Sequence, residues 1–107
     1  MDEKIIEVFS FLIQDAYNTA KEKGWHDSEV TVPHSLMMIV DEITELLHEY
    51  RKGSSQEIVY KEMADVFIRL FDFMGNQGYD DIRFCQCLIE KMRQNKERPY
   101  RHKNKPF

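Results

Sequence analysis

Apolar residues recur along the chain at helical intervals in four separate runs. Ile5, Phe9, Leu12, Ala16 and Ala20 form the first stripe, widened by Ile6, Ile13 and Tyr17, and predict a helix over about 1–23 that Gly24 is placed to stop. Pro33 suits the first turn of a second helix running to about 52, with Leu36, Val40, Ile43, Leu47 and Tyr50 on its apolar face and Ile39 and Leu46 alongside. Ser54, followed by Glu57 three residues later, is a capping-box pattern and predicts the start of a third helix. That helix carries Val59, Met63, Val66, Phe67, Leu70, Phe71 and Met74, an apolar arc too wide for one neighbour. Gly75 and Gly78 are expected to end it, and Asp80 or Asp81 to cap a fourth helix. Ile82, Cys85, Ile89 and Met92 line that last helix until Pro99 forbids continuation. The pattern predicts an all-α, four-helix bundle-type subunit. The breadth of the third arc adds the expectation of a homodimer or homotetramer assembled through a helical core.

Composition narrows the class. With 107 residues, 42% apolar and 32% charged, the chain reads as a single globular domain over 1–107 without repeats or low-complexity segments. Its apolar runs are too short to span a bilayer, and the first residues lack the pattern of a secretory signal. Cys85 and Cys87 lie two apart in a helical segment and cannot close an ordinary disulfide, so a reducing cytoplasm is expected, with Cys85 in the core. The net charge of −4 hides an acidic body and a basic tail over about 98–107, where Arg98, Arg101, Lys103 and Lys105 gather with His102. The body carries no basic stripe, which argues against a nucleic-acid partner as the short apolar runs argue against a membrane.

The candidate chemistry is acidic. Glu42, Glu45 and Glu49 fall on one face of the second helix, and Glu62 and Asp65 repeat the three-residue spacing on the third. Packed as antiparallel neighbours, these helices would bring both pairs to one edge of the shared core. Carboxylates held that close repel unless a cation neutralises them, and all-oxygen donors favour Mg²⁺, with Mn²⁺ as a substitute. Such an ion neutralises phosphate charge and acidifies an attacking water. Glu-x-x-Glu on a helix is also a common solvated face, so spacing alone does not decide between the readings. Lys91 and Asn95, one turn apart, with Arg98 and Tyr100 beyond them, supply cationic and polar groups suited to phosphate oxygens, or simply a charged helix end.

Asp41-Glu42-Ile43-Thr44-Glu45 followed by Glu62-Met63-Ala64-Asp65-Val66 resembles the Glu-x-x-Glu … Glu-x-x-Asp signature of MazG-like nucleotide pyrophosphohydrolases. The stretch from Lys91 through Asn95, Arg98 and Pro99 to His102 is similar to that family's Lys-x-x-x-Asn-x-x-Arg-Pro-x-x-His ending. The resemblance covers about residues 5 to 104. It implies a helical subunit that pairs with others and cleaves a nucleoside triphosphate between its α- and β-phosphates, giving the monophosphate and pyrophosphate. It implies Glu42, Glu45, Glu62 and Asp65 as metal ligands. Lys91 and Asn95 would then contact phosphates, with Arg98 and Tyr100 assisting from the same or a neighbouring subunit. Many members open the first motif with two glutamates, whereas Asp41 stands before Glu42 here. Asp41 is thereby a poor general base, and Glu45 or a neighbouring carboxylate takes that expectation.

Trp25, the only tryptophan, suits stacking on a nucleobase or packing over the bundle end. His34 reads as a wall of the nucleotide pocket by the resemblance and as a surface histidine by position; His26 adds no signal of its own. Glu45 and His48 form half of a di-iron signature, but the third helix lacks the second histidine. Arg51 and Arg69 lie near the acids; Asp65 and Arg69 are spaced as an ordinary surface pair. A non-catalytic helical interaction module, with solubilising acids and a sticky apolar arc, is the alternative function.

Overall fold

The computed structural model describes residues 1–100 and contains helices α1 (Asp2–Glu22), α2 (Val32–Arg51), α3 (Gln56–Gln77) and α4 (Asp81–Glu97). No strand is present among the described residues, and none of their helices is long and apolar enough to cross a membrane. The expected four-helix, all-α class is the one observed. Most of the basic tail, including Arg101, His102, Lys103 and Lys105, lies outside the described residues.

Local chemistry sets the helix ends. Gly24 takes φ +83°, which lets its own N–H reach Lys21 O and the Trp25 N–H reach Ala20 O, closing α1 with a Schellman turn. Thr31 caps α2 by accepting from the His34 N–H, and Asp80 caps α4 by accepting from the Arg83 N–H. The third cap differs from expectation. Ser55, not Ser54, accepts from the Ile58 N–H, while the Ser54 hydroxyl bonds the Glu49 carboxylate behind it.

α3 is the centre of the fold. It packs against α1 on one side and α2 on the other, and α4 packs on α1. α1 and α3 run in the same direction, with Phe71 beside Phe9 and Gly75 beside Tyr17. α4 runs opposite to α1, tied at its two ends by Gln14–Asp81 (3.0 Å) and Asp2–Arg93 (3.3 Å). The core is Ile13, Phe71 and Met74, covered by Phe9, Ala16 and Phe84. Cys85 is fully buried, as expected.

Gly75 does not end α3. It lies inside the helix, and a β-carbon there would come within 2.5 Å of Tyr17 Cβ. Its missing side chain is what allows α1 and α3 to approach; Gly78, at φ +69°, makes the actual stop.

The apolar stripe expected on α2 is present but does not face the rest of the chain. Leu36, Val40, Ile43, Leu47 and Tyr50 are all exposed, Tyr50 to 72%, and α2 contributes no fully buried residue. Met63 and Phe67 on α3 are exposed as well, Phe67 to 56%. Ile39 and Leu46, at the margin of the α2 stripe, are half-buried, as is Met38.

Candidate metal centre and adjoining cavity

The α2–α3 pairing brings acids from both helices together. One carboxylate oxygen each from Glu42, Glu62 and Asp65 lies within 4.8 Å of the others. Glu42 and Glu62 are half-buried and Asp65 is exposed. Glu45, the fourth expected ligand, is exposed and outside this cluster, though near enough for its charge to act on Glu62. Glu49 is engaged elsewhere. The Ser54 hydroxyl first, then Lys52 at 3.3 Å, hold its carboxyl below the usual range.

Glu62 is the least satisfied group in the cluster. Its Oε2 is buried without a hydrogen-bond partner. Burial first, then the charges of Asp65, Glu45, Glu49 and Glu42, push its carboxyl above the usual range. An orphaned carboxylate oxygen among like charges lacks a counter-charge, and an all-oxygen donor set fits a hard divalent cation. No histidine belongs to the cluster, and His48 is exposed, so these residues do not complete a di-iron site.

Arg69 connects the cluster to a second feature. Its Nε donates to Glu42 Oε1 at 3.3 Å, and its guanidinium lies 4.4 Å from the centre of the Trp25 ring. The pair with Glu42 replaces the expected pair with Asp65. Beyond Arg69 a cavity of about 220 Å³ opens between α2, α3 and the α1–α2 connection. Trp25 and His34, two of the expected pocket residues, line it. So do His26, Ser35, Asp72 and Asn76, none of which the sequence singled out.

The connection is held over α3 by polar contacts. His26 Nε2 donates to Asp72 Oδ1 at 2.7 Å, and the His26 ring packs 5.7 Å from that of Tyr17. Asp72 is only 7% exposed, the one buried charged residue among those described. A sequence signal for it existed. It interrupts the run Leu70-Phe71-Asp72-Phe73-Met74, and with Arg69 and Asn76 it forms a polar row at helical spacing along the largely apolar second half of α3.

Lys91, Asn95 and Arg98 are exposed on or just after α4, which packs on α1. No ion pair or hydrogen bond among the described residues joins these three to the acids. Tyr100 is exposed at the end of the described chain. Arg51 is exposed at the last residue of α2.

Comparison of the chain with family models, with curated proteins and with solved structures gave no match.

Proposed function

We propose that this chain is a nucleoside triphosphate pyrophosphohydrolase that works with Mg²⁺ and as a homo-oligomer. The observation that carries the reading is Glu62. Its buried oxygen has no partner, its carboxyl is pushed up by burial and by its neighbours, and Glu42 and Asp65 stand beside it. A site like this is costly for a protein to keep unless a cation completes it. The adjoining cavity supports a substrate with a flat ring at one end and anionic groups at the other. Trp25 and Arg69 form the flat wall, and Arg69 leads directly to the acids. The resemblance to MazG-like enzymes rests on the same acids and adds the reaction, water attack that separates a monophosphate from pyrophosphate.

Glu42, Glu62 and Asp65 would hold the Mg²⁺, which supplies phosphate neutralisation and an acidified water. Glu45, exposed and one turn from Glu42, would accept a proton from that water. The phosphate contacts expected of Lys91, Asn95, Arg98 and Tyr100 would come from a neighbouring copy. The exposed stripe of Leu36, Val40, Ile43, Leu47 and Tyr50 on α2 offers that copy an apolar face. The same face also suits the alternative of a non-catalytic interaction module.

Pyrophosphate release from a panel of NTPs and dNTPs with Mg²⁺, alongside Glu62→Ala, separates the two. The enzyme reading expects a monophosphate product whose formation the substitution abolishes. Absence of cleavage with both Mg²⁺ and Mn²⁺ leaves the interaction module in its place.

A further inference from the structure

The cavity carries information about which base it accepts. Asp72 lines it, is 7% exposed, and uses Oδ1 to take the His26 Nε2–H at 2.7 Å. A carboxylate has about four acceptor sites and no donor, so the capacity left to Asp72 serves only an incoming N–H or O–H. One helical turn further on, Asn76 offers both a donor and an acceptor at the same cavity. Trp25 and Arg69, stacked at 4.4 Å, close one side as a flat wall.

We infer that the cavity selects nucleobases whose pairing edge carries an exocyclic amino group, and that Asp72 is the residue that reads it. The inference rests on the nucleotide reading above and deepens it. Cytosine presents an amino group beside an unprotonated ring nitrogen. The amino hydrogen meets Asp72, and the ring nitrogen meets a donor such as the Asn76 amide. Uracil places a carbonyl oxygen where that amino group stands, and two acceptors then face each other in a half-enclosed space. A buried polar group left facing the wrong partner costs more than its hydrogen bond returns, so discrimination here exceeds that of a merely apolar slot. At about 220 Å³ the cavity is smaller than the ~300–1,000 Å³ of a pocket that engulfs a whole ligand, which suits a base with its sugar and phosphates outside.

Trp25 is the only tryptophan, so its fluorescence reports occupancy of this cavity. The test is titration of the full chain with CMP and with UMP, followed by hydrolysis of CTP against UTP. The expected result is CMP binding at least about tenfold tighter than UMP, with the same preference in kcat/KM. Asp72→Asn, whose amide both donates and accepts, is expected to flatten the ratio to within about threefold. The wild-type ratio decides the matter if that variant fails to fold. Equal cleavage of CTP and UTP overturns the inference and leaves the hydrolase reading standing. Preferential CMP binding with no cleavage of any nucleotide does the reverse. Equal binding of CMP and UMP, or binding of neither, overturns the inference.

Discussion

On its α1 side, α3 presents Phe71, Met74 and Gly75; on its α2 side it presents Glu62, Asp65, Arg69 and Asp72. The first contact is dry and close. Ile13 is fully buried against it, and a glycine replaces what would be a clash with Tyr17. The second is open and polar, enclosing a cavity and a cluster of like charges while α2 buries no residue fully. Close packing stabilises a fold but leaves no room for a ligand, whereas a charged, half-open seam destabilises the fold and is what a ligand can use. One helix thus separates the two tasks by face.

The sharpest way to break this comparison is to substitute one residue on each side. Glu62→Gln keeps the shape and removes the charge, and it is expected to lower Mg²⁺-dependent hydrolysis by at least about a hundredfold. Its thermal stability without Mg²⁺ should be unchanged or higher, because a repelled charge is gone. Gly75→Ala is expected to do the opposite. It should cost about 1–3 kcal/mol in denaturant unfolding and leave activity per folded molecule near wild type. If Gly75→Ala instead abolishes activity at full stability, the two sides of α3 are not separate.

The third prediction concerns the uncovered face. Leu47→Glu on α2 is expected to shift sedimentation toward monomer, while Phe11→Glu, at an apolar and more exposed position on α1, is not. The reverse pattern moves the interface to the α1 side.

Proton linkage gives a subtler reading of the seam. Because the folded chain raises the Glu62 pKa, it binds more protons than the unfolded chain between the ordinary carboxylate range and the raised value. Stability without Mg²⁺ should therefore fall as pH climbs through that window, and Glu62→Gln should remove this part of the slope. Unfolding curves across that range in a chelator check it. The smallest effect belongs to the dry side. Burial, then the charge of Asp81, pushes the Cys85 thiol up, so in the native state Cys87 should react with an alkylating reagent and Cys85 should not.

Much of this was legible in the sequence, because periodicity and capping are local. The four helices, the spacing of Glu42, Glu62 and Asp65, and the burial of Cys85 followed from it. Gly75 looks like a terminator because it is a lone glycine near a helix end, and only the approach of Tyr17 from far along the chain gives it another purpose. Ser54 and Ser55 can both cap, and the choice falls on Ser55 because Glu49 takes the Ser54 hydroxyl. The α2 stripe was visible as apolar, but periodicity does not say whether its cover lies in the same chain. Asp72 and His26 are 46 residues apart, and nothing local marks them as partners.

The acidic cluster straddles a seam in a mechanical sense too. Glu62 and Asp65 stand on α3, anchored by the core, whereas Glu42 stands on α2, which packs on α3 and is joined to its chain neighbours through glycine-bearing turns. An ion shared by the three carboxylates would act as a removable cross-link, closing the loop of chain between Glu42 and Glu62 as a disulfide closes a loop. Chelation would then do more than remove a reactant: it would unfasten α2, and with it the cavity wall that α2 supplies.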